Sequence, residues 1–164
     1  MREILKFALI LIVLIIVQKT LIWLISVTEY GITPDVVLIG VVYIGIIRGR
    51  IAGTIAGFVS GLIVDLLSFT FIGLMALSKT VSGFISGFFY NENKTERYLS
   101  GYMFVLICFI SSAVNNMIYY FIYFQGSGLG FNDLLLRYVL PTSIYTAVVS
   151  VFPVIFMMKK KSGR

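Results

Sequence analysis

Six apolar runs, separated by short polar gaps, fill most of this 164-residue chain. A transmembrane helix needs about 20 mostly apolar residues at a rise of about 1.5 Å each. The runs lie at roughly 4–26, 34–47, 51–67, 69–90, 99–124 and 134–158. Such runs leave no polar face for water. With 59% hydrophobic and only 12% charged residues, a soluble domain this small has too little interior to hide its apolar surface. The expected fold is therefore an all-α integral membrane protein, a single six-helix transmembrane bundle over residues 1–164.

The gaps carry the orientation. Arg2 and Lys6 precede the first run, and Arg48-Gly49-Arg50 separates the second from the third. The segment Asn91–Arg97 lies between the fourth and fifth, and Lys159–Arg164 comes after the sixth. These positions hold ten of the thirteen basic residues. The alternate gaps, Val27–Thr33, the turn at Ser68 and Gln125–Asp133, hold none. The positive-inside rule then places both termini in the cytoplasm. The basic start could also open a signal peptide. The first run exceeds the usual 7–15-residue signal core, however, and no small-x-small cleavage site comes after it, so it reads as a retained helix. A re-entrant hairpin of runs two and three would bury Arg48 and Arg50 at about 2.5–3.5 kcal/mol each, which two full crossings avoid. Trp23, Tyr30, Tyr119, Tyr120, Tyr123 and Tyr138 fall near the outer boundary. Phe88, Phe89, Tyr90, Tyr98 and Tyr102 fall near the inner one, as interfacial aromatic belts do.

Several chemistries are excluded. Histidine is absent, which removes a Ser-His-Asp triad and every His-based metal or haem site. Cys108 is the single cysteine, so neither an intrachain disulfide nor a cysteine cluster is available. The glycines lie inside apolar helices rather than in a phosphate loop. Asp35 and Asp65 sit at outer helix ends without a supporting loop motif for aspartyl catalysis. The net charge of +6 is spread over the gaps, a topology signal rather than a nucleic-acid groove. The expectation is no catalytic residue, no metal, no cofactor and no nucleic-acid partner; lipid is the solvent.

Two features remain. Gly53, Gly57 and Gly61 repeat every four residues, flanked by Ala52, Ala56 and Ser60, and Ser82, Gly83, Ser86 and Gly87 form a second small face. Small residues let helix backbones approach closely in lipid. The first ridge either docks a helix of another protein or packs inside the bundle. Second, Lys19, Asp35, Asp65, Lys79 and Arg137 all fall in the outer half of the bilayer, with Gln18, Asn115 and Asn116 in the same layer. Lys19, for example, lies about 22 Å along the first helix. Intramembrane charges pair or face the bundle interior. The layer is therefore either an interhelical network or a polar cavity open to the outside, with snorkelling an option for Lys19 and Arg137.

Pro34-Asp35 opening an apolar run, Gly45-Ile-Ile-Arg48-Gly49-Arg50, the Ala52-Gly53-x3-Gly57-x3-Gly61 helix, Asp65-Leu66-Leu67-Ser68 and Gly73-Leu74-Met75-Ala76-Leu77 together resemble the MreD family of rod shape-determining proteins. The resemblance implies a non-catalytic protein of the bacterial inner membrane, within the cell-wall elongation machinery. It would bind the bitopic protein MreC directly and, through that complex, MreB, RodA and a penicillin-binding transpeptidase. That family is in turn similar to the S components of energy-coupling-factor transporters, which leaves an alternative: binding a vitamin-like solute for uptake.

Overall fold

The computed structural model describes residues 2–20, 33–68, 71–126, 128 and 130–162. Among these, helix is the only regular structure. The expectations for Trp23, Tyr30, the end of the first run and Phe69-Thr70 lie outside the described residues.

Helix α1 covers Arg2–Thr20, α2 Val36–Arg48 and α3 Arg50–Ser68. Gly49 is the whole joint between α2 and α3. Its φ of 86° is a conformation that L side chains rarely adopt, and its N–H donates to the Gly45 carbonyl at 2.9 Å. Helix α4 covers Leu74–Ser86 and tightens into a 3-10 turn at Gly87–Phe89. It begins five residues later than the fourth apolar run, because Gly73 at φ 100° turns the chain there and donates its N–H to the Asp65 carboxylate. A short α5, Thr95–Leu99, leads into α6, Tyr102–Tyr123. The last run is one long rod in three parts. Helix α7, Phe131–Leu134, passes through a π turn at Leu135–Val139 into α8, Leu140–Val149, and then α9, Val151–Ser162. Pro141 explains the π turn: it has no N–H to offer the Arg137 carbonyl, so the ladder shifts by one residue and Leu140 N–H bonds Leu135.

Helix α2 is the axis of the molecule. It contributes to all three apolar clusters. Leu38, Ile39, Val42 and Ile46 meet Leu99, Phe104, Ile107, Cys108 and Val154. Val41 and Ile44 meet Leu11 and Ala56, and Val37 meets Ile15 and Val64. A helix apolar on every side belongs inside. At 13 residues α2 is only about 20 Å long, short of a hydrocarbon core of about 30 Å.

Burial is inverted relative to a soluble protein. The outer surface carries Leu9, Ile16, Ile55, Phe58, Leu66, Phe84, Phe121, Ile144, Val148 and Phe152, while the interior holds Ser60, Asp65, Ser78, Lys79, Ser82, Ser86, Ser111, Ser112, Asn116, Ser143, Thr146 and Ser150. Only a hydrocarbon solvent rewards that arrangement. Among the described residues, three stretches are long and apolar enough to cross a membrane by themselves: Arg50–Ser68, Tyr102–Tyr123 and Phe131–Ile155. The stretches Val36–Arg48 and Leu74–Phe89 are apolar but shorter. The chain is thus a multi-pass membrane protein, all-helical among the described residues.

Candidate functional site

The buried polar residues of the apolar runs form three arrangements. The first joins α2, α4 and α8. Asp35 is the N-cap of α2: its Oδ1 accepts from Leu38 N–H at 2.9 Å, satisfying an otherwise orphaned helix donor. Its Oδ2 accepts from Lys79 Nζ on α4. Its own N–H donates to Thr146 Oγ1 on α8 at 3.0 Å. Lys79 is fully buried, with no exposed surface. Ion pairs in such a place demand both partners, since either charge alone would be uncompensated. One residue, through its carboxylate and its backbone N–H, therefore ties three helices at a single point. Beside it, Gln18 of α1 accepts from Val37 N–H at 2.9 Å, adding a fourth helix.

Asp65 works differently. Among the described residues it pairs with no cation. From the last turns of α3 its carboxylate accepts from Gly73 N–H at 2.9 Å, Met75 N–H at 3.1 Å and Ala76 N–H at 3.0 Å. These are free donors at the start of α4, where a negative charge also complements the helix dipole. Asp65 is a helix cap supplied from a neighbouring helix, and it is fully buried.

The third arrangement is an amide and hydroxyl network between α6 and α8. Asn115 Nδ2 donates to Asn116 Oδ1 at 3.3 Å, and Asn116 Nδ2 donates to Ser112 Oγ at 3.2 Å and Ser143 Oγ at 3.1 Å. Asn115 Oδ1 and Ser111 Oγ, one turn apart, have no hydrogen-bond partner among the described residues. Lys19 and Arg137 stand apart from all of this. Lys19 is exposed and donates to Ser68 Oγ at 2.5 Å. Arg137 lies 3.5 Å from Asp133, with both side chains more than half exposed. Both side chains are exposed, and an exposed pair such as Arg137–Asp133 contributes little to stability.

The glycine ridge faces inward. A Cβ on Gly53 would strike the Gly83 carbonyl, one on Gly57 the Lys79 carbonyl, and one on Gly61 the Met75 carbonyl and Ala76 Cα. Gly83 returns the contact onto Gly53, and Gly45 of α2 closes on Ser86 of α4. The ridge is the α3–α4 seam, and it sets Lys79 against α2 by fixing where α4 lies.

Hydroxyls line the same interior at four-residue spacing. Ser78, Ser82 and Ser86 descend α4, and Thr142, Thr146 and Ser150 descend α8. Most close on their own helix: Ser82 on the Ser78 carbonyl at 2.9 Å, Ser143 on Val139 at 2.6 Å and Thr146 on Thr142 at 2.8 Å. The small-residue face of α4 marks Ser82 and Ser86 only; the signal that finds the others is the i, i+4 repeat of hydroxyls in α8.

The polar layer is therefore spent on holding helices together. Asp35 and Lys79 close on each other and Asp65 on backbone, which lends no support to a solute-binding cavity. Among the described residues no group of acidic, cysteine or histidine side chains is arranged to hold a metal.

In comparison with known proteins, the family model described as rod shape-determining protein MreD matches residues 1–160. No curated protein and no solved structure matches.

Proposed function

We infer the function of this chain from its membership of the MreD family: it belongs to the rod shape-determining MreD proteins along nearly its whole length, residues 1–160 of 164. Membership suggests a part in rod-shape determination. Our finer reading is a non-catalytic scaffold of the cell-wall elongation machinery in the bacterial cytoplasmic membrane. It holds MreC directly and reaches MreB, RodA and a penicillin-binding transpeptidase within the complex. We read six crossings with both termini in the cytoplasm.

The observation that carries this reading is the family match. The fold supports it in a physical way. The buried charges act as caps and ties between helices, so the interior makes a rigid body rather than a reaction chamber. A rigid body with an apolar exterior is what a single-span partner helix needs to pack on, since association in lipid comes from shape and close contact.

The test is genetic and biochemical. In the bacterium that carries this chain, depletion should turn rods into spheres, and re-expression should restore them. A tagged copy extracted in mild detergent should bring down MreC in roughly equal amount. Rods that persist without the chain would sink the shape role. Restored rods without MreC in the purified complex would sink the direct-binding role alone.

A further inference from the structure

The turn between α3 and α4 reverses the polarity expected of a turn in water. Phe71 is 72% exposed and Ile72 71%, whereas the charge that serves the same turn, Asp65, has no exposed surface. Leu66, Leu67 and Leu77 are exposed as well, so the tip continues the apolar band of the two helices it joins.

A helix start normally leaves its first N–H groups to water or to caps. Here the protein meets all of them. Gly73, Met75 and Ala76 N–H donate to the Asp65 carboxylate at 2.9, 3.1 and 3.0 Å. Leu74 N–H donates to the Phe71 carbonyl at 3.2 Å, and Leu77 N–H to the Gly73 carbonyl at 2.8 Å. Every N–H from Gly73 to Leu77 thus has a protein acceptor. A turn in water has no need of a buried carboxylate for this purpose. A turn in hydrocarbon does, because lipid chains offer an open N–H nothing.

Helix length gives the depth. The stretch Leu74–Phe89 is about 24 Å long and Arg50–Ser68 about 28 Å. The exposed polar run Asn91–Lys94 comes directly after Tyr90 and marks a membrane surface at that end. A hydrocarbon core is about 30 Å thick, so the α3–α4 turn stops short of the opposite headgroups, and any tilt lowers it further. Helix α6, at about 33 Å, is long enough to cross. The nearby charge, Lys19 with its Nζ on Ser68 Oγ, has a stem that reaches headgroups from below.

We propose that the α3–α4 turn is immersed in the membrane: Phe71 and Ile72 insert among the acyl chains of the leaflet at that end, and Asp65 permits this by meeting the turn's N–H groups from inside. The occupant of this face is lipid, continuous with the lipid along α3 and α4. Immersion depends on the membrane fold and on no protein partner.

Trp23 is the single tryptophan, so fluorescence can read the depth directly. In a Trp23→Phe background, Phe71→Trp reports on the tip, Ile55→Trp on the exposed middle of α3, and Asn93→Trp on the exposed polar turn. Each full-length variant is reconstituted in phosphatidylcholine vesicles and quenched in two ways: by acrylamide present on both sides, and by bromine carried on the acyl chains. Phe71→Trp should be quenched by brominated chains about as strongly as Ile55→Trp, and by acrylamide several-fold less than Asn93→Trp. Acrylamide quenching equal to that of Asn93→Trp would put the turn in water and overturn the proposal. Weak quenching by both reagents would mean that a second copy or another protein covers the turn, and would overturn it too. Ile72→Trp repeats the measurement from the next side chain and decides if Phe71→Trp does not fold.

Discussion

Asp35 and Asp65 are the same residue type at similar depth, yet one meets a cation and the other meets backbone. Their substitutions should part accordingly. Asp65→Leu leaves the Gly73, Met75 and Ala76 N–H groups without their acceptor. Asp65→Asn keeps one carbonyl oxygen for them. Asp65→Leu should be the less stable by about 1–3 kcal/mol, the cost of leaving a buried donor unmet. Denaturant or thermal unfolding in detergent measures the gap, and equal midpoints would show that the cap contributes nothing. At Asp35 the relevant cost is an orphaned charge. Lys79→Met strands a buried carboxylate and should cost about 3–5 kcal/mol. Adding Asp35→Asn removes that charge while keeping an oxygen to cap Leu38 N–H, so Asp35→Asn/Lys79→Met should recover a large part of the loss. A double variant no more stable than Lys79→Met alone would refute the assignment. Sequence spacing places these residues in one layer but gives no pairing among them. Pairing depends on which helices touch, and an apolar run carries no such label.

Helix α3 shows the same division between what a pattern contains and what it omits. The four-residue period of Gly53, Gly57 and Gly61 puts them on one face, and a face of glycine implies a backbone close to it. Whether that backbone belongs to the chain or to another protein is a tertiary matter; it is that of α4. Glycine normally weakens a helix interior by about 1 kcal/mol relative to alanine. At Gly57 the seam outweighs that gain, because the atom in the way is the Lys79 carbonyl, which the helix cannot move without moving α4. Gly57→Ala should therefore destabilise the fold, by a net of up to about 2 kcal/mol once an overpacking cost of about 1–3 kcal/mol is set against the propensity. Gly57→Leu should prevent assembly. An alanine variant as stable as wild type by detergent unfolding would mean that the seam yields. The π turn before Pro141 and the late start of α4 are not legible in the same way. Both arise from how particular N–H groups are satisfied, and hydropathy does not register single donors.

At the scale of the whole molecule, the two ends differ in kind. Phe7, Arg48, Arg50, Phe88 and Tyr90 gather at one end through the arginine–ring contacts and the packing at Gly49. Asp35, Asp65, Lys79 and Thr146 gather near the other. The run count and the basic gaps anticipate this polarity, since charge must leave the hydrocarbon wherever the chain turns. They do not anticipate that α2, too short to span on its own, becomes the buried axis. By length alone the second run is a weak span, whereas a helix surrounded by protein has no need to match the bilayer. The six-crossing map makes a direct demand on accessibility. Asn93 and Asn132 are both exposed, and α6, about 33 Å long, lies between them. The native Cys108 is buried, so it should react slowly. Asn93→Cys and Asn132→Cys, each made singly, should therefore label from opposite faces with a membrane-impermeant maleimide: Asn93→Cys in inverted vesicles and Asn132→Cys in intact cells stripped of outer envelope. Labelling of both from one face would require α6 to return without crossing. The basic segments would then no longer share a side, and the cytoplasmic assignment of the two termini would fall with them.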